Sequence, residues 1–312
     1  MVRTIPAGAP EDKLDFTLKG GNFFASLRLL FKNRQGIRIM KIAMLGLGII
    51  GRVWAENLLA DGHDVRGWNR TPKALPWSVP DAAAAVQDAE LIFVVVADPP
   101  AVQQVLDRIL PGLRAGQVVI QSSTISPTAT LDFAGQVQKT GAAFLEAPFT
   151  GSKPAAEARK TVFYLGGDAA VLETARPVLA RLASAILHIG PTGSASALKL
   201  AMNVNIALVA QALSESLTLA RSAGITDETY FTALKLNASH SGLAALKEPK
   251  LRAREFSPQF SLKHMAKDLR LALEAATDLK LPQTRNIMGI YEEGLTRGWT
   301  EEDFSVLARL LE

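Results

Sequence analysis

A glycine-rich turn between a buried strand and a helix constrains the fold of this chain more than any other part of its sequence. Residues 41–45 predict the strand, and residues 46–51 read Gly-Leu-Gly-Ile-Ile-Gly before a helix over 52–60. Glycines in this G-x-G-x-x-G spacing let the backbone approach a pyrophosphate, which the N-terminus of the following helix attracts. A second strand follows over 64–68, so the sequence predicts a dinucleotide-binding site of the Rossmann type. The residues predicted to form it are Gly46, Leu47, Gly48, Ile49, Ile50 and Gly51.

The end of the second strand indicates which dinucleotide binds. An Asp or Glu at that position would bind the ribose hydroxyls of NAD, but the chain reads Asn69-Arg70-Thr71. The planar guanidinium of Arg70 is suited to a 2′-phosphate, and Asn69 and Thr71 can add hydrogen bonds. The sequence therefore favours NADPH/NADP as the cofactor. The alternative is that Arg70 is an ordinary exposed loop arginine.

Strands and helices continue to alternate up to residue 190. Helices are predicted over 81–88, 99–110, 126–139 and 169–182, and buried strands over 91–96, 117–121, 142–146, 161–165 and 185–189. Such alternation is typical of an α/β fold with a doubly wound sheet, which binds ligands at the carboxyl ends of its strands. The candidate binding residues at these ends are Ala97, Asp98, Thr124, Thr150, Gly151 and Ser152.

A single long helix is predicted over 194–223, because neither Pro nor Gly interrupts this stretch rich in Ala and Leu. A helix of this length commonly leaves one domain and forms the spine of the next. Lys199 and Asn203 lie four residues apart near its start, so their side chains project from the same face. The ordinary alternative for this pair is a solvated lysine and a surface amide.

Only helices are predicted after this long helix, over 227–236, 262–279, 284–294 and 303–311. The sequence thus predicts a Rossmann-type doubly wound sheet followed by an all-α C-terminal domain, with Lys199 and Asn203 at the cleft between them. The predicted domains are an N-terminal extension over 1–39, an NADP-binding Rossmann domain over 40–202 and an all-helical substrate and dimerisation domain over 203–312.

The net charge of +4 is confined to the N-terminal extension. Residues 1–39 contain seven basic and three acidic residues, whereas residues 40–312 contain 27 of each. The body of the chain therefore has no basic excess that would favour nucleic-acid binding. We interpret the extension as a disordered or non-native segment before a true start at Met40. The alternatives are an organelle targeting peptide and an accessory segment.

Composition argues against several other kinds of site. The chain has no Cys, which rules out disulfides and thiolate chemistry and fits a cytoplasmic protein. Its four His residues are scattered without the spacing of metal ligands, so no metal site is expected. No stretch reaches about 18 uninterrupted apolar residues, so no membrane-spanning segment is expected.

Four motifs within residues 40–312 together resemble the β-hydroxyacid dehydrogenase family. They are the glycine turn, Ala147-Pro-Phe-Thr-Gly-Ser152, Gly190-x-x-Gly193 leading to Lys199-x-x-x-Asn203, and Lys267-Asp268-Leu269. Within the family, the Asn-Arg-Thr loop, Gly-Ser-Lys-Pro-Ala at 151–155 and the segment 260–269 are most similar to glyoxylate/succinic semialdehyde reductases.

Some residues depart from the family pattern. Thr150 replaces the usual Ser, and its extra methyl group narrows the substrate pocket. Glu146 replaces an Asp and Ala195 replaces a Gly, and we expect these two departures to bear on substrate identity more than on reaction type. Ile50 replaces a frequent Met, which is a packing change of little consequence.

The resemblance implies NADPH-dependent reduction of a small aldehyde acid, such as glyoxylate or succinic semialdehyde, to the hydroxy acid. Lys199 would be the general acid and base, with a pKa lowered by burial, and Asn203 would orient lysine and substrate. Lys267 would lie near the nicotinamide. A homodimer or homotetramer is also implied. The residues implied to bind substrate are Thr124, Thr150, Gly151, Ser152, Phe260 and Asp268, with Thr124 also near the cofactor.

Other activities compatible with this architecture stay open. An NAD(P)-dependent 3-hydroxyisobutyrate dehydrogenase or a 2-hydroxy-3-oxopropionate (tartronate semialdehyde) reductase would have the same motifs. Imine reductases generally have Asp or Tyr in place of Lys199, and 6-phosphogluconate dehydrogenases need a much larger helical domain, so both are disfavoured. A non-catalytic NADPH-binding sensor would need neither Lys199 nor Asn203.

Overall fold

The computed structural model describes residues 38–312, of which residues 39–312 form one compact unit. The interpretation of the N-terminal extension therefore lies outside the described residues up to position 37. The strands are β1 (Lys41–Leu45), β2 (Asp64–Trp68), β3 (Leu91–Val94), β4 (Val118–Gln121), β5 (Ala143–Glu146), β6 (Phe149–Thr150), β7 (Thr161–Gly166) and β8 (Ala183–Gly190).

Helices follow most of these strands, and only helices and loops follow β8 in the described chain. The α-helices are α1 (Ile49–Ala60), α2 (Ala82–Val86), α3 (Pro99–Ile109), α4 (Pro127–Gln138), α5 (Lys153–Glu157), α6 (Ala169–Leu179), α7 (Ser194–Ser222), α8 (Asp227–Lys235), α9 (Gly242–Ala253), α10 (Leu262–Ala275) and α11 (Pro282–Thr296). Two 3₁₀ helices cover Leu110–Gly112 and Phe304–Leu311.

The strands form one sheet with the order β2-β1-β3-β4-β5-β7-β6, and β8 pairs with β7. Strands β1 to β5 are parallel, β7 is antiparallel to β5 and β6, and β8 is parallel to β7. The strand order reverses at β1, with β2 on one side and β3 on the other. Because ligands of such sheets bind where the order reverses, the carboxyl end of β1 is the expected binding crevice.

Alternate residues of the central strands face opposite sides of the sheet, and each side has its own hydrophobic core. Ile42 and Met44 of β1 lie in one core with Trp54 of α1. Ala43 and Leu45 lie in the other core, against helices α2 to α4. Helices cover both faces, as the period-2 alternation of a doubly wound sheet requires. The predicted Rossmann-type fold with a helical C-terminal region is confirmed.

Helix α7 links the sheet to the helices that follow it. Ala207, Leu213 and Leu217 on its buried face join a third core, built with α8 to α11. By length and composition α7 could also cross a membrane, which differs from the expectation drawn from the sequence. The core helix of a folded protein passes the same test. Here α7 is such a helix, because its buried face packs against the other C-terminal helices.

Three elements were not predicted from the sequence: the short β6 and α5, and the twelve-residue helix α9. Helix α9 begins at Gly242 and contains Pro249, and both residues argue against a helix. Its start is fixed instead by Ser241, whose hydroxyl accepts a hydrogen bond from the Ala244 N–H at 3.1 Å. The C-terminal segment, predicted as an α-helix, is a 3₁₀ helix whose first turn Asp303 closes. The predicted domain boundary at 202/203 falls inside α7 and stays a prediction.

Candidate active site

A cavity of about 930 Å³ opens at the carboxyl ends of β1, β3 and β4, between the sheet and helices α7, α9 and α10. Most of the residues singled out in the sequence line it. They are Gly46, Gly48, Ile49, Ile50, Gly51, Asn69, Arg70, Thr71, Ala97, Thr124, Thr150, Gly151, Ser152, Lys199, Asn203, Phe260, Lys267 and Asp268.

Two predicted cofactor residues lie elsewhere. The Leu47 side chain is buried in the hydrophobic core beside Trp54, so at most its backbone is near the cavity. The Asp98 carboxylate accepts a hydrogen bond from the Ala101 N–H at 2.8 Å and caps α3. Neither side chain lines the cavity, because packing and helix capping engage them.

The glycine turn has the shape that a dinucleotide requires. A Cβ at Gly46 would lie 2.1 Å from the Val95 carbonyl oxygen, and one at Gly51 would lie 2.1 Å from the Gly46 carbonyl oxygen. Gly48 differs, because a Cβ there would meet nothing within 4 Å and would project into open space. Gly48 is also the N-cap of α1, and no side chain caps that helix. The free N–H groups and the open space fit the diphosphate of a nicotinamide dinucleotide.

Asn69 forms hydrogen bonds with two loops at the glycine-turn end of the cavity. Its Oδ1 accepts a hydrogen bond from the Leu47 N–H at 2.9 Å, and its Nδ2 donates to the Thr71 carbonyl oxygen at 2.7 Å. The side chain therefore joins the glycine turn to the loop after β2. Arg70 is exposed and makes no hydrogen bond or ion pair with any residue of the described chain, 38–312.

A chain of hydrogen bonds joins three buried side chains at the other part of the cavity. Lys199 Nζ donates to Asn203 Oδ1 at 2.9 Å, and Asn203 Nδ2 donates to Asp268 Oδ2 at 2.5 Å. The first two residues are one turn apart on α7, and Asp268 comes from α10. All three are buried, with Lys199 only 8% exposed. The pattern is not that of a solvated lysine and a surface amide.

Burial lowers the pKa of Lys199 to about 8, and the charge of Lys267 lowers it further whereas that of Asp268 opposes the shift. A lysine with this pKa exchanges protons readily near neutral pH, which an exposed lysine does not. The site therefore holds an amine that can either donate or accept a proton inside a largely apolar cavity.

Lys267 connects the helical region to the end of the sheet. Its Nζ donates a hydrogen bond to the Thr124 carbonyl oxygen at 2.6 Å and lies 2.8 Å from Asp268 Oδ1. The ion pair with Asp268 lacks the angles of a hydrogen bond, and Oδ1 accepts none within the described residues. Lys267 thus lines the predicted nicotinamide end of the cavity while it fixes the position of Thr124.

The segment after β5 supplies neutral polar groups. Gly151 has a φ of +119°, a conformation that favours glycine, and its neighbours Thr150 and Ser152 line the cavity. Ser152 precedes α5 at the N-cap position, but its side chain makes no cap hydrogen bond, so its hydroxyl is not engaged there. Hydroxyls and a backbone N–H in this arrangement can hold a small carboxylate.

Phe260 faces the same cavity from the helical side. Its ring stacks on that of His264, with centroids 6.1 Å apart, and meets Phe304 edge-on. The Phe260 N–H donates to Asp303 Oδ2 at 3.3 Å. Asp303 in turn forms a fully buried ion pair with Lys247 of α9, at 2.7 Å. Sequence reasoning missed this pair, since 56 residues separate its members.

Glu146 and Ala195 do not line the cavity, which corrects the expectation that they bear on substrate identity. The fully buried Glu146 carboxylate accepts hydrogen bonds from the Ala195 N–H at 2.5 Å and the Ser196 hydroxyl at 3.0 Å. A Cβ at Gly166 would collide with it. Glu146 thus caps α7, one turn before Lys199.

Among residues 38–312, no group of three or more His, Cys, Asp or Glu could hold a metal ion. The site is instead defined by a glycine turn at the reversal of a Rossmann-type sheet and by a buried lysine facing the same cavity. These features define an oxidoreductase that uses a nicotinamide dinucleotide.

Comparisons with known proteins agree with this class. Residues 41–190 match the family model for the NAD-binding domain of 6-phosphogluconate dehydrogenase, and residues 193–311 match that for the NAD-binding domain of NADP-dependent 3-hydroxyisobutyrate dehydrogenase. The chain is 34% identical to an uncharacterized oxidoreductase of Synechocystis over 258 residues, which cover 79% of this chain and 89% of the relative. The chain belongs to the β-hydroxyacid dehydrogenase family, as its motifs indicated.

Named relatives span several activities. The Escherichia coli 2-hydroxy-3-oxopropionate reductase is 31% identical over 88% of this chain and 97% of its own length. The chloroplastic glyoxylate/succinic semialdehyde reductase 2 of Arabidopsis thaliana is 29% identical over 89% of this chain and 81% of its own. A Mycobacterium tuberculosis 3-hydroxyisobutyrate dehydrogenase solved with L-serine superposes with a TM-score of 0.81, at 28% identity over 88% of this chain and all of that one.

Proposed function

We propose that this enzyme reduces a small aldehyde acid, such as glyoxylate or succinic semialdehyde, to the hydroxy acid with NADPH. The observation that carries the proposal is the buried Lys199, held by Asn203 and Asp268 in the cavity that also contains the glycine turn. The Arabidopsis relatives named as glyoxylate/succinic semialdehyde reductases support the substrate class.

Lys199 supplies the proton in this reaction. NADPH held by the glycine turn and the loop after β2 would supply a hydride to the carbonyl carbon, and negative charge would then develop on the carbonyl oxygen. The Lys199 ammonium stabilises that charge and transfers a proton to the oxygen, which leaves a neutral amine and a hydroxyl group. In the oxidation direction the neutral amine takes the hydroxyl proton. A pKa of about 8 allows both roles near neutral pH.

Asn203 and Asp268 position the lysine. Asn203 Oδ1 accepts one of the three ammonium hydrogens, and Asp268 fixes the orientation of the Asn203 amide. The remaining Lys199 hydrogens are free for the substrate oxygen. The substrate carboxylate lies among Thr150, Gly151 and Ser152 in this proposal, with Thr124 at the adjacent strand end.

Arg70 supports the choice of NADPH over NADH. It stands at the end of β2 with an unengaged guanidinium, and no Asp or Glu occupies positions 69–71 to bind ribose hydroxyls. A free guanidinium forms stronger, charge-assisted hydrogen bonds with a 2′-phosphate than with a neutral hydroxyl pair.

Reduction of 2-hydroxy-3-oxopropionate is the second candidate, favoured by the identity to the Escherichia coli relative. The test is NADPH consumption, with NADH in parallel, against glyoxylate, succinic semialdehyde, 2-hydroxy-3-oxopropionate and methylmalonate semialdehyde. Preferred turnover of the first two with NADPH supports the main proposal. Preference for the third selects the second candidate, and preference for the fourth indicates a 3-hydroxyisobutyrate dehydrogenase. No turnover of any substrate would contradict both and favour a non-catalytic sensor.

We also propose a homodimer or homotetramer in the cytoplasm. Support for assembly comes from large apolar side chains left exposed on the helical region, such as Leu219 at 73% and Leu236 at 87%. Light scattering after gel filtration measures the mass, and a value of one chain would contradict the proposal.

A further inference from the structure

At the carboxyl end of β2, an arginine side chain lies over an aromatic ring in the cavity. The ring belongs to Trp68, the last residue of β2 and the neighbour of Asn69-Arg70-Thr71. Arg108, in the last turn of α3, places its Cζ 5.5 Å from the centre of that ring. Both residues line the cavity. Sequence reasoning named neither of them, because they are 40 positions apart in the chain.

Arg108 has no other partner in the described chain. Its guanidinium makes no hydrogen bond and no ion pair with residues 38–312. Arginines close by in the fold are engaged: Arg66 of β2 pairs with Asp88 at 3.8 Å, and Arg114 donates to the Gln87 carbonyl oxygen at 2.5 Å. The only arginines that line the cavity in the described chain, Arg70 and Arg108, are both unpaired.

The two arginines differ in how firmly they are held. Arg70 is on the loop after β2, whereas Arg108 is on an eleven-residue helix and its Cζ lies over the Trp68 ring. A cation–π contact with an indole restricts the guanidinium while its N–H groups stay available to a ligand. A supported, unpaired fork in the cavity that Arg70 also lines is suited to a doubly charged phosphate monoester.

We propose that Arg108 is a second ligand of the cofactor 2′-phosphate and, with Arg70, determines the preference for NADPH. This inference rests on the proposed function, which takes NADPH as the cofactor. It adds a residue from α3 to a site that the sequence placed only in the loop after β2. Trp68 acts here as a positioning residue, since it holds the Arg108 side chain over the crevice.

The test uses fragments that carry no nicotinamide, so that hydride transfer plays no part. Binding of 2′,5′-ADP and of 5′-AMP, which differ only in the 2′-phosphate, is measured by calorimetry for the wild type, Arg108→Ala and Arg108→Lys. Loss of a charge-assisted phosphate contact should weaken 2′,5′-ADP binding roughly 10- to 100-fold in Arg108→Ala. Binding of 5′-AMP should change by less than about twofold, because it lacks the 2′-phosphate. Arg108→Lys should fall between, because lysine keeps the charge without the planar fork.

Arg66→Ala is the matched control, because it removes the same charge from a neighbouring exposed position that does not line the cavity. It should leave both affinities as in the wild type. Equal loss of both ligands in Arg108→Ala would assign Arg108 to the adenine or to the fold and would overturn the inference. Unchanged binding of 2′,5′-ADP would overturn it too.

The two proposals fail differently in this experiment. If the wild type binds 2′,5′-ADP no better than 5′-AMP, the NADPH preference of the proposed function is wrong and the inference falls with it. If the wild type prefers 2′,5′-ADP and Arg108→Ala keeps that preference, only the role of Arg108 is wrong. Catalysis by Lys199 is untouched by either result.

Discussion

The two ends of the cavity are built in opposite ways. At the cofactor end, Arg70 and Arg108 are exposed and unpaired within the described chain. At the catalytic end, Lys199, Asn203 and Asp268 are buried and joined by hydrogen bonds of 2.9 and 2.5 Å. The two arginines gain a charged partner only when an anionic ligand binds. The catalytic end already has its hydrogen-bond partners within the protein, so its chemistry depends on burial and on neighbouring charges.

This contrast predicts that a substitution at the catalytic end lowers turnover more than one at the cofactor end. Lys199→Ala should lower kcat by roughly 10²- to 10⁴-fold, because it removes the group that donates the proton. NADPH binding should persist, since the glycine turn and the arginines are unchanged. Steady-state kinetics and NADPH fluorescence titration measure the two quantities. Lys139→Ala, on an exposed helix end, is the control. A Lys199→Ala enzyme with more than a tenth of wild-type kcat would contradict the assignment.

The catalytic end also depends on Glu146, whose carboxylate caps helix α7 and lies outside the cavity. Glu146→Ala would leave the Ala195 N–H and the Ser196 hydroxyl without their buried acceptor. The expected cost is about 1–3 kcal/mol in the free energy of unfolding, measured by urea denaturation. Because the cap lies one turn before Lys199, kcat should also fall. Glu173→Ala, which breaks an exposed ion pair with Arg176, is the control and should unfold as the wild type does. Equal midpoints for both variants would show that the cap contributes nothing.

A substitution at the cofactor end should change the affinity for the cofactor. Arg70→Ala should raise the KM for NADPH roughly tenfold, through loss of one charge-assisted contact, and leave the KM for NADH nearly unchanged. Arg52→Ala, which breaks an exposed ion pair with Glu56 on α1, is the control. A parallel rise in both KM values would mean that Arg70 does not distinguish the two cofactors.

The sequence predicted what local spacing determines. The G-x-G-x-x-G turn placed the crevice, and the four-residue spacing of Lys199 and Asn203 placed their side chains on one face, where they bond. The two-residue strand β6 is too short for a periodic signal, and Gly242 with Pro249 argued against helix α9.

Contacts between segments that are distant in the sequence cannot be predicted from residue spacing. Asp268 lies 65 residues beyond Asn203 and was named only through the family resemblance. No such resemblance pointed to the Glu146 cap, to the Lys247–Asp303 ion pair or to Arg108 over Trp68. In each case tertiary folding alone brings the partners together, so a one-chain sequence pattern carries no signal for them.

The smallest and most specific prediction concerns the charges around Lys199. In the reduction direction the ammonium is the proton donor, so kcat/KM should fall as pH rises through about 8, and in the oxidation direction it should rise through the same pH. Burial is the main cause of the lowered pKa, the Asp268 charge opposes it and the Lys267 charge adds to it. Asp268→Asn should therefore lower the pKa of Lys199, because the neighbouring negative charge is lost. The falling limb of the reduction profile and the rising limb of the oxidation profile should both move to lower pH.

Lys267→Met should move the same limbs to higher pH, because it removes the neighbouring positive charge that lowers the Lys199 pKa. The opposite signs make the pair a sharp test, since a general loss of structure would not shift two profiles in opposite directions. Lys263→Met, on the exposed side of α10, serves as the control for charge at a distance. Shifts of the same sign in Asp268→Asn and Lys267→Met would show that these two charges do not set the proton affinity of Lys199. The catalytic end would then owe its chemistry to burial alone.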